Sequence, residues 1–223
     1  MIEYVKKLPE VFNYFFLNKI SPEKVIFNSK INIDKIQHFL ELKNIIDKKN
    51  FIWNGNWDTK KINISEYRNY SASFNSVYQI YQENKNFRES EEYKIKSKLI
   101  LDGIKTGRAK NLIELDDYFE SIDKLKKSLD SFGYKSQIDL KNINKKNDEI
   151  GVVIGSNYEI IKLQDKFGGT HRFGLCKILG IKDVVISIKA IHKKLITKNE
   201  IQKLIYQNDR AKIITLLKDI IKI

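Results

Sequence analysis

The chain has 223 residues, 42% hydrophobic and 11% aromatic, with only two prolines and ten glycines. That is enough to bury a sizeable core, and it excludes global disorder and a long Pro- or Gly-rich linker. The formal net charge of +13 points to anionic partners: nucleic acid, nucleotide phosphates or an acidic membrane surface. Lysine supplies most of it, since only Arg68, Arg88, Arg108, Arg172 and Arg210 are arginines. Scattered lysine is equally what a solvated surface looks like, and scarce arginine weighs against reading of DNA bases. The single Cys176 excludes an intramolecular disulfide, and His38, His171 and His192 are too far apart to suggest a metal site. A reducing, cytoplasmic setting is expected.

The N-terminal MIEYVKKLPEVFNYFFLNKI holds an aromatic run, Phe12 to Leu17, too short and interrupted to span a bilayer and lacking a signal-peptide cleavage pattern. With Lys6 and Lys7 it could lie on a membrane surface; packing against the domain is the favoured use. Ser21-Pro22-Glu23 signals a helix start or turn, and Ile36, Phe39, Leu40, Ile45 and Ile46 predict a helix from Asp34 to about Lys48. FIWNGNWD, Phe51 to Asp58, reads as an aromatic strand or loop around an Asn-Gly turn. Residues 71–105 predict one or two helices.

Leu115, Phe119, Ile122, Leu125, Leu129 and Phe132 recur at helical spacing, with Gly133 as the C-terminal stop. IGVVIGSNYEIIKL predicts a β-hairpin turning at Gly155-Ser156-Asn157. A helix from about Thr170 to Gly180 is followed by a β-branched strand, Asp183 to Ile191. Thr197 to Glu200 form a capping box that opens a C-terminal helix. The expected class is α/β (α+β): a helical N-terminal extension over 1–50, a core over 51–192 with a helical insertion at about 70–110, and a C-terminal helix over 193–223.

The most informative stretch is FGGTHR, Phe167 to Arg172, between the hairpin and a helix. Gly168 and Gly169 let backbone approach a ligand closely, and helix-start amides carry partial positive charge. Thr170, His171 and Arg172 add side-chain donors, and together these make an anion site. The alternative is a plain helix cap with Arg172 in solvent.

The tract from Ile150 to Ile191 resembles the ParB/sulfiredoxin superfamily in its hairpin, its Gly-x-His-Arg turn, its short helix ending in Leu-Gly and its return strand, as in KILGIKDVVISI (Lys177 to Ile188). Leu125, Ser128 and Gly133 resemble the family's preceding helix, so the likeness spans about residues 117–192. It implies a core with a small mixed sheet and a turn that holds nucleotide phosphates, as sulfiredoxins hold ATP and ParB proteins CTP. Sulfiredoxins carry their catalytic cysteine where this chain has Thr170, so sulfinic-acid reduction is not expected. Enzymatic members commonly have Asp-Gly before the basic pair; here Gly168 stands at that Asp position.

The resemblance implies a phosphotransferase acting from ATP or another nucleotide, with Mg²⁺, on a small hydroxyl-bearing substrate. Gly168, Gly169, Thr170, His171 and Arg172 would bind phosphate, with Arg108 in TGRAK as a second clamp or a solvated arginine. Asp58 and His171 are the candidate acid–base groups, Asp58 having turn capping as its alternative, and Trp53 and Trp57 would orient the substrate. The alternatives are a ParB-like DNA-binding protein with a CTP switch or nuclease activity, and a nucleotide-binding module without turnover.

Overall fold

A computed structural model of the chain describes residues 28–41, 51–106, 109–142, 148–164 and 168–196, together with Glu200, Thr215 and Asp219. The aromatic run at 12–17 and the helix expected from 201 onward lie outside the described residues, apart from Thr215 and Asp219, which like Glu200 are helical.

Seven strands form one mixed sheet: β1 Asn28–Asn32, β2 Ile36–Leu40, β3 Ile52–Trp53, β4 Ile62–Asn63, β5 Ile150–Ile154, β6 Ile160–Leu163 and β7 Asp183–His192. Their order is β1-β7-β5-β6-β2-β4, with β3 also on β7. β7 runs parallel to β5 and β3 and antiparallel to β1, while β6 runs antiparallel to β5 and parallel to β2. The central strands β5–β7 are rich in Val and Ile because both faces are covered. Alternate residues separate accordingly. Phe39, Val152 and Ile160 join the main core, and Leu40, Val153 and Ile161 join a smaller one with Trp53 and Trp57; Ile188 and Ala190 fall in the main and smaller core respectively across a bulge in the β5–β7 pairing.

Among the described residues, four α-helices with both ends described accompany the sheet: α1 Ala72–Tyr81, α2 Glu91–Leu101, α3 Leu112–Phe132 and α4 Thr170–Ile178. Each of the first three starts after a Ser or Asn. Ser71 and Asn111 accept from the backbone N–H three residues on, covering an otherwise orphaned donor. Phe74 of α1 stacks on Phe173 of α4, with ring centres 5.7 Å apart. The Gly174 backbone fits against Phe74 and Val77, where an added Cβ would lie 3.2 Å from each side chain.

The helices expected at 71–105 and 115–132, the hairpin, the helix at Thr170 and the strand at 183 are all present. The helix expected from Asp34 is not. Ile33–Lys35 make one 3-10 turn and Ile36–Leu40 form β2, in which Ile36, Phe39 and Leu40 are buried between neighbouring strands. Residues 42–50 of that expectation lie outside the described ones. Nor does residue 50 mark a boundary, because β1 and β2 belong to the same sheet as β5–β7. Phe132, expected inside, is exposed, and the Lys135 ammonium lies 4.7 Å from its ring centre.

Candidate functional site at the start of helix α4

Gly168 and Gly169 both have positive φ, 88° and 73°. A side chain at 169 would lie 2.7 Å from the Ile150 Cα and 2.8 Å from the Glu149 carbonyl oxygen. One at 168 would lie 2.9 Å from Asp148 Oδ1. The glycines therefore clamp the turn onto the start of β5. α4 then begins at Thr170, with Gly169 as an N-cap that has no side chain to offer. Thr170 is 5% exposed, and its hydroxyl has no hydrogen-bond partner among the described residues. Beneath the turn, the fully buried Lys162 donates from Nζ to the carbonyls of Leu163 and, at 3.4 Å, Gly168.

Arg172 is neither a free phosphate clamp nor a solvated arginine, the two readings the sequence left open. Its Nη1 donates to the Asp148 carbonyl at 2.7 Å and to Glu149 Oε2 at 3.0 Å. Glu149 is completely buried and also accepts from the Tyr134 hydroxyl and the Gln137 N–H, each at 2.6 Å. Burial pushes the Tyr134 hydroxyl well above its usual range, so it remains a donor. The physical reason is charge balance: a buried carboxylate needs a cation, and Arg172 is that cation. Burial likewise pushes the neighbouring Cys176 thiol up to about 12, far from thiolate chemistry.

His171, beside it, belongs to a second network. Its Nε2 meets Glu92 Oε2 at 2.7 Å, and its Nδ1 lies 3.5 Å from the Tyr118 hydroxyl. Glu92, only 3% exposed, also receives Ser73 Oγ at 2.8 Å, Lys96 Nζ at 2.7 Å and Tyr118 Oη at 3.2 Å. All four helices thus contribute a side chain. Burial alone would raise the Glu92 carboxyl, but the facing His171 and Lys96 hold it down at about 2. It is a carboxylate throughout the physiological range, and it fixes the imidazole orientation.

Asp58, Trp53 and Trp57 are elsewhere. Asp58 Oδ2 accepts from the Ser156 N–H at 2.8 Å and so caps the β5–β6 turn, at the opposite end of the hairpin from Gly168. Burial would raise the Asp58 carboxyl, yet the Ser156 hydrogen bonds and His192 hold it below its usual value. Five residues of β5 at about 3.3 Å each separate the two ends. Trp53 and Trp57 pack edge to face in the smaller core, both almost fully buried, and present no open ring to a substrate. His192, whose Nε2 donates to the Gly55 carbonyl at 2.8 Å, is part of this structural cluster. The expected joint site of Asp58 with 168–172 is therefore not formed, and a turn cap is what Asp58 supplies. Arg108 lies outside the described residues.

Sequence reading passed over Glu149, Lys96, Tyr118 and Lys162. Only Lys162 carried a local signal, as a lysine inside the apolar strand IIKL. Among the described residues, no three His, Cys, Asp or Glu side chains come together to hold a metal, and no helix is long and apolar enough to cross a membrane. No protein-family model, curated protein or solved structure matches the chain.

Proposed function

We propose that the turn at 168–172 binds a phosphate group of ATP or another nucleotide, and that the protein transfers a phosphoryl group to a small hydroxyl-bearing substrate. The observation that carries this reading is the buried Thr170 hydroxyl, without a partner among the described residues at the first position of α4. Such a hydroxyl costs about 1–3 kcal/mol to bury unpaired, and a bound phosphate oxygen would satisfy it. The first amides of α4 and the nearby Lys162 ammonium favour the same negative charge. The resemblance of residues 117–192 to the ParB/sulfiredoxin superfamily points the same way.

His171 is the proton carrier in this reading. Glu92 accepts the hydrogen bond from Nε2–H, leaving Nδ1 as the basic nitrogen, and the 3.5 Å separation from Tyr118 is loose enough for a substrate hydroxyl to displace it. The substrate oxygen bonds to the terminal phosphorus, its proton passes to Nδ1, and the bond to the nucleoside diphosphate oxygen breaks. Glu92 positions the ring without touching substrate. Mg²⁺ bound with the nucleotide would offset the phosphate charge.

The test is thermal stability with ATP, CTP, GTP or ADP and Mg²⁺. A nucleotide at a hundred times its dissociation constant adds about 2.7 kcal/mol. Thr170→Val should keep or improve stability without ligand and weaken nucleotide binding. His171→Asn should spare binding and lower any turnover by about 10²- to 10⁴-fold. Stabilisation by no nucleotide, together with tight, salt-sensitive binding of duplex DNA, would favour the DNA-binding alternative instead.

A further inference from the structure

Helices α2 and α3 pack against each other and are joined by a short loop, so the end of one and the start of the other share a tip. The loop is held by its own hydrogen bonds. Gly103, at φ 76°, follows α2, and the Ile104 N–H returns to the Leu99 carbonyl at 2.8 Å. The Thr106 N–H and hydroxyl both donate to the carbonyl of the buried Ala109, at 3.3 and 3.0 Å, before Asn111 caps α3. This frame leaves aliphatic side chains in water: Leu101 is 74% exposed, Ile113 76%, Ile104 52% and Leu112 38%. None of the four belongs to either core. Single exposed aliphatics are ordinary, but four gathered at one end of a helical hairpin mark a surface that something covers.

The charges around them say what. Lys98, Lys105 and Lys110 are exposed in the same stretch, and among the described residues no ion pair reaches any of them. Asp102 is the one acid from 98 to 113, and Glu114, next along, is turned back onto the Lys110 N–H at 2.8 Å. A protein partner would be met by aromatic rings, Met and Arg, with lysine scarce; this stretch has Leu and Ile with Lys and no aromatic ring. Nucleic acid would use the lysines and leave the aliphatics in water. A bilayer surface uses both, because aliphatics enter the boundary between headgroups and acyl chains while ammonium groups meet anionic headgroups. We infer that the α2–α3 tip docks on an anionic lipid surface, with Leu101, Ile104 and Ile113 inserted and Lys98, Lys105 and Lys110 at headgroup level. The tip is separate from the turn at 168–172: Glu92, which reaches His171, is about 14 Å along α2 from Leu101.

Co-sedimentation of the full chain with vesicles of phosphatidylcholine, alone or mixed with phosphatidylserine, tests it. Wild type should bind the mixed vesicles and not the neutral ones. Leu101→Ser with Ile113→Ser alters only exposed side chains, so the thermal midpoint should hold while binding falls at least about tenfold. Lys105→Gln with Lys110→Gln should weaken binding about twentyfold, since each lysine near an anionic surface contributes about fivefold. Lys135→Gln with Lys141→Gln makes the same charge change past the far end of α3, about 30 Å away, and should leave binding within about threefold. Equal losses in the two lysine pairs overturn the proposal, as does a serine pair that binds like wild type or a wild type that binds neither vesicle. Dimerisation of wild type that the serine pair abolishes, without vesicle binding, would make a second copy the occupant and overturn it too.

Discussion

Glu149 has no accessible surface, and three donors meet it: Arg172, Tyr134 and the Gln137 amide. Arg172→Ala would leave that carboxylate without its cation, and breaking a buried pair from one side costs about 3–5 kcal/mol. A free phosphate clamp would instead leave the unliganded protein nearly unaffected. Denaturant unfolding of Arg172→Ala without nucleotide separates the two roles, and a large loss of stability is expected. Arg172→Met with Glu149→Leu, which removes both charges, should recover much of the loss. Glu92 makes a second prediction at this scale. Its carboxyl falls from 4.5 to about 2 on folding, so its ionic contribution is present above pH 4.5 and lost as pH drops towards 2. Glu92→Gln should therefore be less stable than wild type at pH 7, by roughly 3 kcal/mol from the size of the shift. The gap should close between about pH 4.5 and 2, as followed by unfolding at a series of pH values.

At the scale of elements, α4 has a glycine at each end and the two differ in kind. Gly169 and Gly180 have similar positive φ, 73° and 67°, but a Cβ on Gly180 meets nothing within 4 Å, whereas one on Gly169 strikes the Ile150 backbone. Gly180→Ala should cost only the left-handed strain, about 1–2 kcal/mol. Gly169→Ala should cost about 1–3 kcal/mol more, because β5 must shift to admit the methyl group. Equal losses in denaturant unfolding would contradict this account of the turn. The helix and its glycines were legible because their signals are local: a Gly pair, an apolar spacing and a Leu-Gly stop. β1 was not legible. NSKIN buries one residue, Ile31, and becomes a strand only because β7 lies alongside it. The helical spacing of Ile36, Phe39 and Leu40 was real, but five residues between β6 and β4 are held by sheet hydrogen bonds and burial on both faces.

Across the whole molecule, the candidate site is an assembly of distant segments. Glu92 and His171 are 79 residues apart, and Glu149 meets Arg172 from 23 residues away. No helical or strand spacing links the members of either pair, so His171 and Arg172 could be recognised as polar groups at a helix start while their engagement could not. Asp58 failed for the complementary reason. Its aromatic neighbours looked like a binding loop, but the sheet brings them to the far end of the hairpin, where they close the smaller core.

The position of β7 also sets a schedule. It pairs with β1, β3 and β5, yet it is the last of the seven strands in sequence. Asn32 faces Asp183, so about 150 residues must be made before β1 meets its partner. At about 5–20 residues per second that is roughly 8–30 s of synthesis during which the β7-facing edge of β1 lacks its cover, joined by β3 early on and by β5 only near the end. A nascent chain stopped before Asp183 would carry three strands waiting for one partner, and such unpaired edges are where chains join one another. This protein's exposure to aggregation should therefore lie in the time before β7 emerges more than in the finished fold, and a chaperone that covers strand edges would act in that interval.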